Sequence, residues 1–107
     1  ISDSFGNRIT DLLKKEKVRG VRCLGSCAIN MCFVASGKAD IFYEGIDAER
    51  GPKPWDFTAP EVIVEEAGGY ITQTNGKKFD CTQGTIICAA SKELNEIFVK
   101  RGYTKAI

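Results

Sequence analysis

The stretch Leu24-Gly-Ser-Cys-Ala-Ile-Asn-Met-Cys-Phe-Val-Ala-Ser-Gly-Lys-Ala-Asp40 decides how the rest of this 107-residue chain is read. From Cys27 to Ala35 nearly every residue is apolar. Ser26 is placed to cap the first turn of a helix there, and Gly37 to stop it. Such a helix has no polar face to offer water, so it is predicted to be buried on most sides, in the interior of a larger body. Working outward, Val18–Leu24 in front reads as a strand of small and branched residues broken by Gly20. Ala39–Glu44 behind reads as a strand with Ile41 and Tyr43 on one face and Asp40, Phe42 and Glu44 on the other.

Farther out, Ile9, Leu12 and Leu13 precede the charged run Lys14–Lys17, the mark of a short amphipathic helix with a basic last turn. Gly45–Pro54, with two glycines and two prolines among charges, reads as a loop. After Asp56, the residues Ala59, Val62, Ile63, Glu66 and Ala67 keep a helical spacing until Gly68-Gly69. Tyr70–Thr74 alternates as a strand, Asn75-Gly76 signals a tight turn, and Thr85–Ala90 is a short apolar strand. Ser91 is placed to cap a last helix bearing Leu94, Ile97 and Phe98, with Gly102 past its end. Strands alternating with helices predict the α/β class, packed as a layered α/β sandwich.

Composition narrows the function. With 43% hydrophobic residues the chain can bury one modest core, and two domains would not fit. The net charge of +1 gives no reason to expect nucleic acid or a membrane surface. The distribution is uneven: Ile1–Leu24 carries six basic and three acidic residues, Asp40–Glu66 eight acidic and two basic. A carboxylate-rich block is either a solvated face or a site for hard cations, which take oxygen ligands. Five cysteines (Cys23, Cys27, Cys32, Cys81, Cys88) with no secretory leader argue for a reducing, cytoplasmic setting. The absence of histidine rules out Ser-His-Asp and Cys-His machinery within this chain, and the cysteine spacing matches no common zinc pattern. No apolar run nears the roughly 20 residues of a membrane span.

Three places could carry chemistry. Asp56 follows Trp55 where a proline-containing loop meets a helix, which makes it a helix cap with Trp55 as its staple, and a capped carboxylate still has an oxygen for a cation. Pro60 is expected within the first turn of that helix. Ser26 and Cys27 open the buried helix, where backbone amides attract anions or hydroxyls. A thiol at that terminus is either activated or, more commonly, inert packing. Glu44 ends its strand beside the loop, either as a ligand-binding side chain or as an exposed glutamate. Asn30, Asp40 and Glu66 read as structural.

Two segments together carry a resemblance. Leu24–Asp40, continued by Phe42-Tyr-Glu44, and Trp55-Asp-Phe-Thr-Ala-Pro-Glu-Val-Ile-Val-Glu-Glu-Ala-Gly-Gly69 resemble the inositol monophosphatase family, the second matching its C-terminal Trp-Asp signature. The likeness runs from about Gly20 onward. It implies a magnesium-dependent, lithium-sensitive phosphomonoesterase and a homodimer, with 1–107 as the C-terminal domain and the N-terminal half absent. By the same likeness Asp56 binds metal, Glu44 holds a ring hydroxyl of an inositol phosphate, and Gly25, Ser26 and Cys27 line the substrate pocket. No catalytic set is complete here, because the family's other ligands, a glutamate and an Asp-Pro-hydrophobic-Asp-Gly-Thr motif, lie upstream. The loop before Trp55 is longer than the family's, and Phe5-Gly-Asn-Arg8 resembles a family loop without carrying over any residue. A bisphosphate nucleotidase, which shares the Ala59-Pro-Glu-Val-Ile63 wording, and a non-catalytic binding module are the alternatives.

Overall fold

A computed structural model describes residues 10–16, 18–22, 24–45, 49 and 51–102. The expectations for Ile9, the Phe5–Arg8 loop and Cys23 lie outside the described residues. Residues 10–15 are helical and form α1. They are followed by α2 (Cys27–Ala35), β1 (Ile41–Glu44), α3 (Pro54–Glu66), β2 (Tyr70–Thr72), β3 (Ile86–Ala89) and α4 (Lys92–Arg101). Ser26 caps α2, its side chain accepting from the Ile29 amide at 3.3 Å, and Ser91 caps α4 through the Leu94 amide at 3.2 Å.

The three strands form an antiparallel sheet in the order β1-β3-β2. Ile41 pairs with Ala89 and Glu44 with Ile86 on one side, and Tyr70 with Ala89 on the other. Every residue of the central strand β3 is buried, which a strand allows only when both faces of its sheet are covered. Ile86 and Cys88 turn toward Met31 and Val34 of α2 and Phe57 and Val64 of α3. Ile87, one residue out of phase, turns toward Leu12 of α1 and Phe98 of α4. The period-two alternation of one strand thus divides the core into two clusters, and the result is an α/β/α sandwich, the layered α/β class the sequence predicts. Asn95 of α4, 1% exposed, pins that helix to the sheet. Its amide donates to the Ile87 carbonyl at 3.2 Å, and its carbonyl accepts from the Thr72 hydroxyl at 3.1 Å.

Four expectations need correction. The strand over Val18–Leu24 does not form: residues 18–22 and 24 carry no ladder. A strand persists only where a neighbour satisfies its amides, and the sheet offers this segment no partner among the described residues. Val18 packs instead at the edge of the second core cluster. Second, α3 starts at Pro54, with Lys53 as N-cap, so Asp56 is the third helical residue rather than the cap. Third, Pro60 lies inside the helix, not in its first turn. Having no amide, it leaves the Asp56 carbonyl, four residues back, without a helical partner. Fourth, the packing face of α3 is Phe57, Pro60 and Val64. The expected stripe of Ala59, Val62 and Ile63 points away from the sheet, and Trp55, 76% exposed, is not buried as a staple among the described residues.

Candidate functional site

The loop ends where Lys53 and Asp56 clasp each other. The Lys53 amide donates to Asp56 Oδ2 at 2.8 Å, and the Asp56 amide donates to the Lys53 carbonyl at 2.8 Å. Pro54 between them stands at the first helical position, where its fixed φ suits the helix and its missing amide is no loss. The Lys53 amide thereby holds one carboxylate oxygen of Asp56 in place. The signal for this lock is Lys53-Pro-Trp-Asp56 itself, a proline in first position with an acid two residues later; the backbone amide of Lys53 is the group that a reading of side chains alone overlooks.

Glu44 is delivered by the exit of β1. The next residue, Gly45, has φ +97 and passes against the backbone of Gly84 and Thr85. Opposite stands the start of α2, where Gly25 (φ +83) turns the chain and Ser26 caps the helix. The Cys27 and Ala28 amides lie in a first turn that offers them no intrahelical acceptor.

Electrostatics tie these elements together. Burial pushes the Cys27 thiol up to about 12, and the nearby carboxylates of Glu44 and Asp56, then Cys88, push the same way. Glu44 is itself raised, first by loss of water around its carboxylate and then by Asp56. Residues from α2, β1 and α3 therefore share one neighbourhood: Cys27, Glu44 and Asp56. At neutral pH Cys27 is a protonated thiol, the inert of its two sequence readings. Ser26 and Gly25 join the cluster through the backbone.

This arrangement offers hard oxygen donors beside two helix N-termini, a combination suited to a cation and an anion held together. Among the described residues no three His, Cys, Asp or Glu side chains are grouped to hold a metal ion. Two further observations bear on setting: the described cysteines Cys27, Cys32, Cys81 and Cys88 are free thiols, and no described helix is long and apolar enough to cross a membrane.

The raised pKa of Glu44 has a testable sign. A carboxyl whose folded pKa lies above its unfolded value favours folding fully below the unfolded pKa, and that contribution is lost as pH rises through the folded pKa. Glu44→Gln is therefore expected to raise the melting temperature relative to the parent chain at about pH 7 and to leave it unchanged below about pH 4. Equal shifts at both pH values would rule out the charge effect.

A layered α/β domain with a fixed carboxylate set beside two helix N-termini is the class that fold and site define. The chain belongs to the inositol monophosphatase family, whose match covers residues 2–103. It is 42% identical over 100 residues to inositol monophosphatase 3 of Solanum lycopersicum, covering 94% of this chain and 35% of that protein. It is 46% identical over 98 residues to the inositol monophosphatase of Mesembryanthemum crystallinum, covering 92% and 34%. Among solved structures, the extragenic suppressor protein suhB of Bartonella henselae superposes with a TM-score of 0.76 at 26% identity, over 98% of this chain and 37% of that one. The inositol monophosphatase of Anabaena gives 0.72 at 28% identity, over 88% and 36%. The chain spans about a third of the length of the curated relatives it matches.

Proposed function

We propose that residues 1–107 are the C-terminal domain of a magnesium-dependent phosphomonoesterase that hydrolyses inositol monophosphate. The observation that carries this reading is the convergence of Asp56, Glu44 and the start of α2 in a chain of this family. Asp56 offers its unheld oxygen to the cation, while the Lys53 amide fixes its aim. Glu44 accepts a hydrogen bond from a ring hydroxyl. The backbone of Gly25, Ser26 and Cys27 holds the substrate, the first-turn amides donating to its oxygens. Magnesium, when bound, supplies charge neutralisation for in-line attack of water on phosphorus. The remaining ligands come from the N-terminal portion of the fold, so the chain alone is inactive. The free thiols favour a cytoplasmic enzyme, and the complete protein is a homodimer.

Calorimetric titration of the isolated chain with magnesium is expected to give weak binding, about millimolar. Adding the N-terminal portion of the Mesembryanthemum relative is expected to tighten it and to produce turnover of inositol 1-phosphate in preference to 3'-phosphoadenosine 5'-phosphate. The reverse preference would move the assignment to a nucleotidase. A stable complex without turnover of either would make the chain a non-catalytic binding module.

A further inference from the structure

The turn after β2 carries the chain's single asparagine-glycine pair, Asn75-Gly76. The other asparagines, Asn7, Asn30 and Asn95, precede an arginine, a methionine and a glutamate. Asn30 and Asn95 also stand inside α2 and α4, where the amide of the next residue is tied into the helix. Asn75 and Gly76 are both exposed. The Gly76 amide donates to the Gln73 carbonyl at 3.0 Å, and the Gln73 amide donates to the Lys77 carbonyl at 3.0 Å. The Lys77 amide donates to Asn75 Oδ1 at 2.9 Å, which folds the asparagine side chain back over its own backbone. That bond also draws electrons out of the side-chain carbonyl, as a donor facing a developing oxyanion does. Gly76, at φ +86, has no side chain to keep its nitrogen away from Asn75 Cγ. Lys77 and Lys78, exposed beside it, add positive charge where negative charge would appear.

We propose that Asn75 is a self-modification site, and that its isoaspartate product unlatches the turn from the sheet. The Gly76 nitrogen gives its proton to hydroxide and attacks Asn75 Cγ. A bond forms from Cγ to that nitrogen, the bond from Cγ to Nδ2 breaks, and Nδ2 leaves with a proton from water as ammonia. The cyclic succinimide that remains is opened by water at either carbonyl. One opening gives aspartate; the other gives isoaspartate, in which the main chain runs on through Cβ and Cγ. In the folded chain the bond from Gly76 to Gln73 holds the reaction back, because it occupies the N–H that has to be removed. Opening one bond of an exposed turn costs little beside global unfolding. The two products then differ. Aspartate keeps an oxygen for the Lys77 amide and fits the turn. Isoaspartate puts one more atom into the backbone of a turn with no slack: a Cβ on Gly76 would stand 3.1 Å from Val99 Cγ1 of α4, and Thr72 bridges Lys78. The bridge and the bond from Gln73 to Lys77 are lost. β2 is an edge strand, and its Thr72 hydroxyl holds Asn95 of α4, so the loss reaches the outer helix layer.

Nothing in this chemistry depends on phosphatase activity, and the chain by itself is the sample. It is incubated at about pH 7 and about pH 8 and followed by peptide mapping. The expected result is a gain of about 1 Da on the peptide holding Asn75, at least about tenfold faster than on those holding Asn30 or Asn95. The rate is expected to rise about tenfold between the two pH values, because the deprotonated fraction of the Gly76 nitrogen does. The new carboxylate takes the net charge from +1 to zero, so ion exchange separates the products from the parent. Urea denaturation of the isoaspartate form is expected to show a lower midpoint. Asn75→Asp, which carries the charge without the added backbone atom, is expected to keep the midpoint of the parent. Conversion of Asn75 no faster than that of Asn30 and Asn95 overturns the site. An isoaspartate form with the midpoint of the parent overturns the unlatching. An equal loss in Asn75→Asp also overturns it, by assigning the effect to charge.

Discussion

Gly45→Ala is expected to destabilise the chain by about 3 kcal/mol or more and to move Glu44 away from Asp56. Two independent penalties meet at this position. Alanine at φ +97 enters the left-handed region, which costs about 1–2 kcal/mol for a residue with a Cβ. The added Cβ would also overlap the Gly84 carbonyl oxygen and stand 2.9 Å from both the Gly84 carbonyl carbon and the Thr85 Cα. Those atoms are backbone at the entrance of the fully buried strand β3, so they cannot swing aside as a side chain can. The exit of β1 has to move instead, and Glu44 moves with it. Urea denaturation measures the first effect. Carboxyl NMR measures the second: in the variant that still folds, the raised Glu44 pKa is expected to fall toward the ordinary glutamate value, because both the desolvation and the Asp56 charge weaken with distance. Unchanged stability together with an unchanged Glu44 titration would show that the crossing with Gly84 does not hold the site.

That crossing marks a limit of what sequence patterns carry. Caps and stops are local and were legible: Ser26, Ser91 and Gly102 stand where their types predict. The class was legible too, since alternating periods of helix and strand leave few ways to pack. Two of the failures share one cause, which is that periodicity reports apolar faces without saying what they meet. The stripe of Ala59, Val62 and Ile63 has helical spacing, yet Phe57, Pro60 and Val64 won the sheet, because an α3 apolar on two sides has two candidate faces. Val18–Leu24 has strand-like residues and no ladder, because pairing is a property of two segments. Among the site residues, the local half of the geometry, a capped carboxylate after Pro54, was close to readable and shifted by three positions from cap to first turn. The non-local half, Gly45 against Gly84, leaves only a glycine in a loop.

Asp56→Asn separates the two roles of that residue. As a clasp, asparagine is nearly equivalent, since its side-chain oxygen can still accept from the Lys53 amide at the observed 2.8 Å, so the melting temperature of the isolated chain is expected to change little. As a ligand it is a poor substitute, because hard divalent cations draw much of their affinity from carboxylate charge. In the complex with the N-terminal portion of a relative, magnesium affinity is expected to fall sharply and phosphatase activity by on the order of a hundred- to a thousandfold. The variant also reports on the neighbourhood without any activity. Removing this negative charge lowers the pKa of Cys27 from about 12, so the thiol is expected to alkylate faster than in the parent chain at the same pH. Faster alkylation with unchanged activity would leave Asp56 next to Cys27 and remove it from metal binding. Lost activity with a lowered melting temperature would reduce it to a cap, whereas a stable variant with faster alkylation and lost magnesium binding leaves the ligand role as the one consistent with all three measurements.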